Sequence, residues 1–202
     1  MKSKAVIILA GGKSSRLGYN KAFLKFNNLT LIERLINKMK IIAHEIILVT
    51  NQPELYYNFE VKCVTDEIKG KGPLGGIYSG LKSSNSWLNF IVACDMPFVD
   101  IGLVEYMFTE ADGFDVVVPC INNDLEPLHA IYSKRCISFI EKCLINNQFR
   151  LISFYPYVQV KYLTENNLAN YNLSEVFYNI NTQADYQRAK DFLLMREETG
   201  EK

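Results

Sequence analysis

Five short apolar runs, rich in β-branched residues, recur along the chain at Ala5–Leu9, Ile46–Thr50, Val61–Val64, Asn89–Cys94 and Val116–Pro119, each bounded by turn-forming or charged residues. Between and after them lie segments of helical periodicity: Leu31–Met39, Leu74–Leu81, Ile101–Phe108, Cys136–Leu144 and Asp185–Leu194. Runs that are apolar on both faces, rather than alternating, read as strands covered on both sides, and their interleaving with helices predicts crossover units and a mostly parallel sheet. A three-layer α/β/α arrangement follows. Neither a repeat nor a low-complexity linker breaks the 202 residues, so residues 1–202 are expected to form one domain.

In such sheets ligands bind beyond the carboxyl ends of the strands, which directs attention to the residues after Leu9, Thr50, Val64 and Cys94. Those four ends carry the unusual polar residues. After "AVIIL" come Ala10, Gly11 and Gly12, then Lys13, Arg16 and Lys21 among small polar residues. Paired glycines let backbone N–H groups approach a ligand and form an anion-binding concavity, and three cations within nine positions suit a triphosphate. The spacing matches neither GxGxxG nor GxxxxGK[ST], which excludes the dinucleotide fingerprint and the P-loop. A plain basic loop between a strand and a hairpin is the alternative.

Composition narrows the field. Lysine plus arginine (22) balances aspartate plus glutamate (22), and no basic run tracks a phosphate backbone, so a nucleic-acid partner is not expected. The apolar runs fall far short of the ~20 residues that span a bilayer, and the start "MKSKAVIILAGG" reads as a first strand rather than a leader, so no membrane association and a cytoplasmic location are expected. Five cysteines, at 63, 94, 120, 136 and 143, share no CxxC spacing and read as small buried hydrophobes in a reducing compartment.

The stretch "LAGGKSSRLGYNKAFL" resembles the signature L-A-G-G-x-x-x-R-[ML]-G-x-[DN]-K-x-L of nucleotidyltransferases. Along almost its full length, through "TNQPELYY", "VTDEIKGKGPLGGIYSGL", "VACDMPFVD", "EPLHAIYSK" and "FYNINTQADYQRA", the chain is most similar to the molybdenum cofactor guanylyltransferases. The resemblance implies a Rossmann-like, nucleotide-diphospho-sugar transferase-like sheet and an enzyme that transfers GMP from GTP to molybdopterin. It implies nucleotide contacts at Leu9, Ala10, Gly11, Gly12, Lys21, Asn51, Asp66 and Asp95, with Arg16, Lys21 and Asp95 in catalysis and Asp95 as the ligand of Mg2+. Its acceptor side implicates Gly75, His129, Asn179 and Asn181. Molybdoenzymes or other cofactor-biosynthesis proteins are the implied partners. Two readings remain open beside it: transfer of CMP, or of a nucleotide to another phosphorylated acceptor, and a silent nucleotide-binding protein on the same fold.

Each position also has a structural explanation. Asp95 would cap a turn before Pro97, Gly75 and Gly76 would admit a neighbouring strand, and Asn51 would open an Asx turn. Thr182 or Asn181 would cap the last helix, with Asp185 in its first turn. His129, beside apolar residues, is more ordinarily a structural group, and His44 reads as a loop residue. Asn20 stands where many members of the family carry aspartate.

Overall fold

The structure is a computed structural model that describes residues 3–11, 20–68 and 70–199, with side chains through Met195. Its main sheet has eight strands: β1 (Lys4–Leu9), β4 (Glu45–Val49), β5 (Lys62–Val64), β6 (Leu88–Ala93), β7 (Val116–Ile121), β8 (Asp124–Leu125), β9 (His129–Ser133) and β10 (Val160–Thr164). The order is β10-β7-β9-β6-β1-β4-β5, with β8 paired to β7. β1 is parallel to both β4 and β6, in register Ile7↔Ile47 and Ile7↔Ile91. β9 runs antiparallel to β6 and β7. A small antiparallel pair, β2 (Lys25–Phe26) and β3 (Leu29–Thr30), follows the glycine loop.

The parallel strands are apolar throughout because each face is buried separately. Val6, Ile8, Ile46, Leu48, Phe90 and Val92 enter one core with Ile32, Leu35, Ile36 and Met39 of α1 (Leu31–Met39) and with Leu103, Val104 and Met107 of α3 (Ile101–Thr109). Ile7, Leu9, Ile47, Val49 and Ile91 enter the other with Leu74, Ile77 and Leu81 of α2 (Gly72–Ser83) and Ile140 and Leu144 of α4 (Cys136–Ile145). The side-chain period of two sends successive residues to opposite cores. A third cluster joins Leu24, Phe26, Leu31 and Phe98 to Ile180 and to Ala189 of α6 (Gln183–Thr199).

Helix starts follow local chemistry. Thr30 and Glu33 form a capping box on α1, and the Thr30 hydroxyl and amide hold the Glu33 carboxyl below its ordinary range. Asp100 accepts from Leu103 N at 2.8 Å to begin α3. α2 is entered through Gly70 and Gly72 at φ of +78° and +63°, a conformation costly for any residue with a Cβ.

All five expected strands and all five expected helices are present, with ends shifted by a few residues. Of the main sheet, β8, β9 and β10 were not expected. "HAIYS" is too short for periodicity to separate from a buried loop, and only pairing with β6 and β7 defines it.

Candidate active site

The chain leaves β1 through α1 to β4 on one side, and returns through α2 to β6 on the other. Right-handed crossovers in opposite directions put α1 and α2 on opposite faces and open a crevice at the carboxyl end of β1. The strand ends stay zipped up to the crevice: Ala10 N donates to Val49 O at 2.9 Å, Thr50 N to Val64 O at 2.9 Å and Cys94 N to Leu9 O at 3.1 Å. The residues just beyond, Gly11, Asn51, Asp66 and Asp95, rim one edge of the sheet.

Lys21 opens a single 3-10 turn (Lys21–Phe23) capped by Asn20. Its Nζ donates to Asp95 Oδ2 at 3.0 Å and to Asn181 Oδ1 at 2.9 Å. Lys21 and Asp95 keep 18% and 22% of their side-chain surface exposed, so the pair is reachable from solvent. Three residues far apart in the chain thus converge: one from the loop after β1, one from the end of β6, one from the segment before α6. That segment is tied down by Ile180, whose N donates to Asp95 O at 3.0 Å and whose side chain is buried. Thr182 and Asp185 cap α6 reciprocally: Asp185 Oδ2 accepts from Thr182 N at 2.8 Å, and Thr182 Oγ1 from Asp185 N at 3.2 Å. Hydrogen bonds to the Asp185 carboxylate, from the Thr182 side chain first and then from the Asn181 and Thr182 main-chain N–H groups, hold that carboxyl below its usual value.

A second constellation faces the end of β4 and β5. Asn51 Nδ2 donates to Asp66 Oδ2 at 3.1 Å. Glu67 N donates to Ser79 Oγ at 2.9 Å, and that hydroxyl donates to Gly75 O at 3.1 Å, which fastens the Asp66 loop to α2. Ser79 makes a tie that the sequence reading missed; its one signal was a serine amid the glycines of "GPLGGIYSG".

The remaining expected site residues divide. Among the described residues a Cβ on Gly11 would have nothing within 4 Å, and its φ is not positive, so neither crowding by them nor strain accounts for a glycine there. Gly75 faces Lys71 Cβ at 3.2 Å and Ile68 O at 3.4 Å, so close packing of the preceding loop accounts for it. Asn179 does not join Lys21: its Nδ2 donates to Phe177 O at 3.1 Å. His129 requires a correction. It is 0% exposed, its ring lies edge-to-face with Phe90 at 4.9 Å and Phe177 at 5.1 Å, and neither ring nitrogen has a hydrogen-bond partner among the described residues. Burial lowers its pKa to about 3, which makes it a neutral core residue with no surface of its own to offer a ligand. Gly12, Lys13 and Arg16 lie outside the described residues.

Asn20 gains a role of its own. Its Oδ1 accepts from Ala22 N at 3.1 Å while its Nδ2 donates to the Tyr56 hydroxyl at 3.1 Å, fixing the turn that presents Lys21. Tyr56 is fully buried, and burial pushes its phenol up to about 12. An amide can serve both partners at once as acceptor and donor; an ionised carboxylate can only accept. Among the described residues no group of three or more His, Cys, Asp or Glu stands close enough to hold a metal by itself.

Residues 6–156 match the model of the MobA-like NTP transferase domain. The chain belongs to this family. MobA-like relatives include a probable molybdenum cofactor guanylyltransferase of Pelotomaculum thermopropionicum, 38% identical over 91% of this chain and 90% of that one. Another bearing the same name, from Clostridium perfringens, is 40% identical over 93% of this chain and 96% of its own length. Among solved structures, molybdopterin-guanine dinucleotide biosynthesis protein A from Archaeoglobus fulgidus superposes with a TM-score of 0.83 at 25% identity, covering 95% of this chain and 99% of that one. The MobA-like match stops at residue 156, before Asn179 and Asn181.

Proposed function

We propose that the protein is a single-domain cytoplasmic enzyme that transfers GMP from GTP to molybdopterin, releasing pyrophosphate and forming the guanine dinucleotide of the cofactor. The observation that carries the reading is the convergence of Lys21, Asp95 and Asn181 at the carboxyl end of β1 and β6, in a chain 38–40% identical to proteins named for this activity.

The reaction joins a terminal phosphate oxygen of the acceptor to the α-phosphorus of GTP as the bond to pyrophosphate breaks. A phosphate monoester is already nucleophilic at neutral pH, so the protein supplies alignment and charge neutralisation rather than a covalent nucleophile. Gly11, where no described residue would crowd a Cβ, offers backbone to the phosphates, and Lys21 neutralises them. Asp66, oriented by Asn51, faces the nucleoside. Magnesium fits Asp95: one partly exposed carboxylate completed by phosphate oxygens is an ordinary donor set for this ion, which needs no all-protein cage. Bound there, it would neutralise charge developing on the phosphates.

A melting-temperature series with GTP, CTP, ATP and UTP, each with magnesium, tests the assignment. GTP is expected to raise Tm most, since a ligand that binds only the folded state stabilises it. Equal shifts for all four would remove the guanine assignment, and no GMP transfer to molybdopterin would remove the activity.

A further inference from the structure

Residues 178–182 lie beyond the part of the chain that the family model matches, yet they reach the centre of the crevice. We propose that Asn181 is a positioning residue for nucleotide binding: its carbonyl oxygen holds the Lys21 ammonium at the phosphate side, so that the segment before α6 completes the nucleotide site. The inference rests on Lys21 serving the nucleotide, as proposed above.

Lysine ends in a strongly hydrated point charge on a flexible stem, carrying about 2 kcal/mol of rotamer entropy, so one partner does not fix it. Asp95 alone, at 3.0 Å, would leave the ammonium free to turn about a single contact. Asn181 supplies a second acceptor at 2.9 Å. It is a neutral acceptor, so it directs the ammonium without cancelling its charge, and an ammonium has a third donor to offer to a ligand.

Asn181 is itself held, because Ile180 and Asp95 are joined through the main chain and Asn181 N donates to Asp185 Oδ2 at 3.0 Å. Behind it, Ile180 and Ala189 pack with Leu24 and Phe26, the residues that follow Lys21 in the chain. The Tyr186 hydroxyl donates to Lys25 O, and its ring meets Phe26 edge-on at 5.2 Å. Lys21 and its second acceptor are therefore carried on two segments packed against each other. Asn179, two residues earlier, spends its amide on Phe177 and has no part in this.

The test is calorimetric titration of GTP, and separately of inorganic tripolyphosphate, each with magnesium, into the wild type and the N181A, K21A and K21A/N181A variants. N181A is expected to weaken both ligands roughly tenfold, the scale of one hydrogen bond to a charged group. K21A/N181A is expected to bind as K21A does, because the two residues act through one ammonium. N181A binding both ligands as tightly as the wild type, or losses that multiply in the double variant, would overturn the inference. A wild type that binds neither ligand would overturn the proposed function as well, which separates the two failures.

Discussion

Asp95 and His129 lie near each other along the sheet, at the end of β6 and the start of the adjoining β9, and have opposite physical roles. Asp95 is partly exposed beyond a strand end and pairs with Lys21, so its charge stands open to solvent rather than sealed in the core. Asp95→Asn keeps the shape and removes the charge; turnover in the GMP-transfer assay is expected to fall by about 10²–10³, the usual loss for one electrostatic stabiliser, with the unliganded melting temperature little changed. Near-normal turnover at saturating magnesium would make Asp95 a turn cap. His129 acts on stability instead. Its folded pKa of about 3 lies below the unfolded value near 6.5, so unfolding takes up a proton between those values; the stability is fully present above pH 6.5 and is lost as pH falls toward 3. Between pH 7 and pH 5 this amounts to about 2 kcal/mol. Denaturant melts of His129→Leu at the two pH values are expected to lose that part of the wild type's pH dependence, and an identical dependence in both proteins would refute the neutral, buried state. The sequence showed both residues but not their difference, because a histidine in "EPLHAIY" reads alike beside a pocket or beneath it. Phe90 and Phe177, which enclose it, come from distant parts of the chain.

At the scale of elements, α2 shows why glycines resisted a functional reading. "GPLGGIYSG" combines turn, loop and packing demands in one run. Gly70 and Gly72 serve backbone conformation, whereas a Cβ on Gly80 would stand 2.5 Å from Ile7 Cγ2 and 3.2 Å from Val49 Cγ2. The helix rests on the sheet at that point. Gly80→Ala forces overlap with fully buried Ile7 and is expected to cost about 1–3 kcal/mol, read as a fall in denaturation midpoint with an unchanged denaturant slope. A variant as stable as the wild type would mean that α2 can lift from β1 freely. Gly76 lies closer to the site, its Cβ direction meeting Leu9 Cδ2 at 3.3 Å and Asp66 Oδ1 at 3.6 Å. The helices themselves were legible because their apolar spacing is local, as in Leu31, Ile32, Leu35, Ile36 and Met39 of α1. β9 was not, since an antiparallel strand inserted between β6 and β7 is defined by partners and not by its own five residues.

For the whole molecule, two large cores flank the sheet and a third, smaller one joins the β2–β3 pair to α6. The first two contain nothing after Phe177. Truncation before Tyr178 is therefore expected to leave a folded sheet with a lowered melting temperature, through loss of buried Ile180 and Ala189 and of the Ile180–Asp95 hydrogen bond. It is also expected to abolish the rise in melting temperature on adding GTP and magnesium. A truncated protein that GTP protects as well as it protects the full chain would show that the site is complete without its last segment.

By itself the sequence determined the alternating strand and helix order, the polar residues at four strand ends and the family to which the chain belongs. These depend on local periodicity, on turn chemistry and on a contiguous signature, all of which are carried within short windows of residues. Tertiary structure alone decided that Lys21 meets both Asp95 and Asn181, that Asn51 orients Asp66, that Asn20 joins Lys21's turn to Tyr56 and that His129 is sealed between two phenylalanines. Each of those contacts spans between 15 and 160 residues, and no local pattern encodes which distant atom fills a hydrogen bond. The physical reason is that the sheet order, set by burial of both faces at once, is what brings these strand ends together, and the side chains beyond them take their partners from that order.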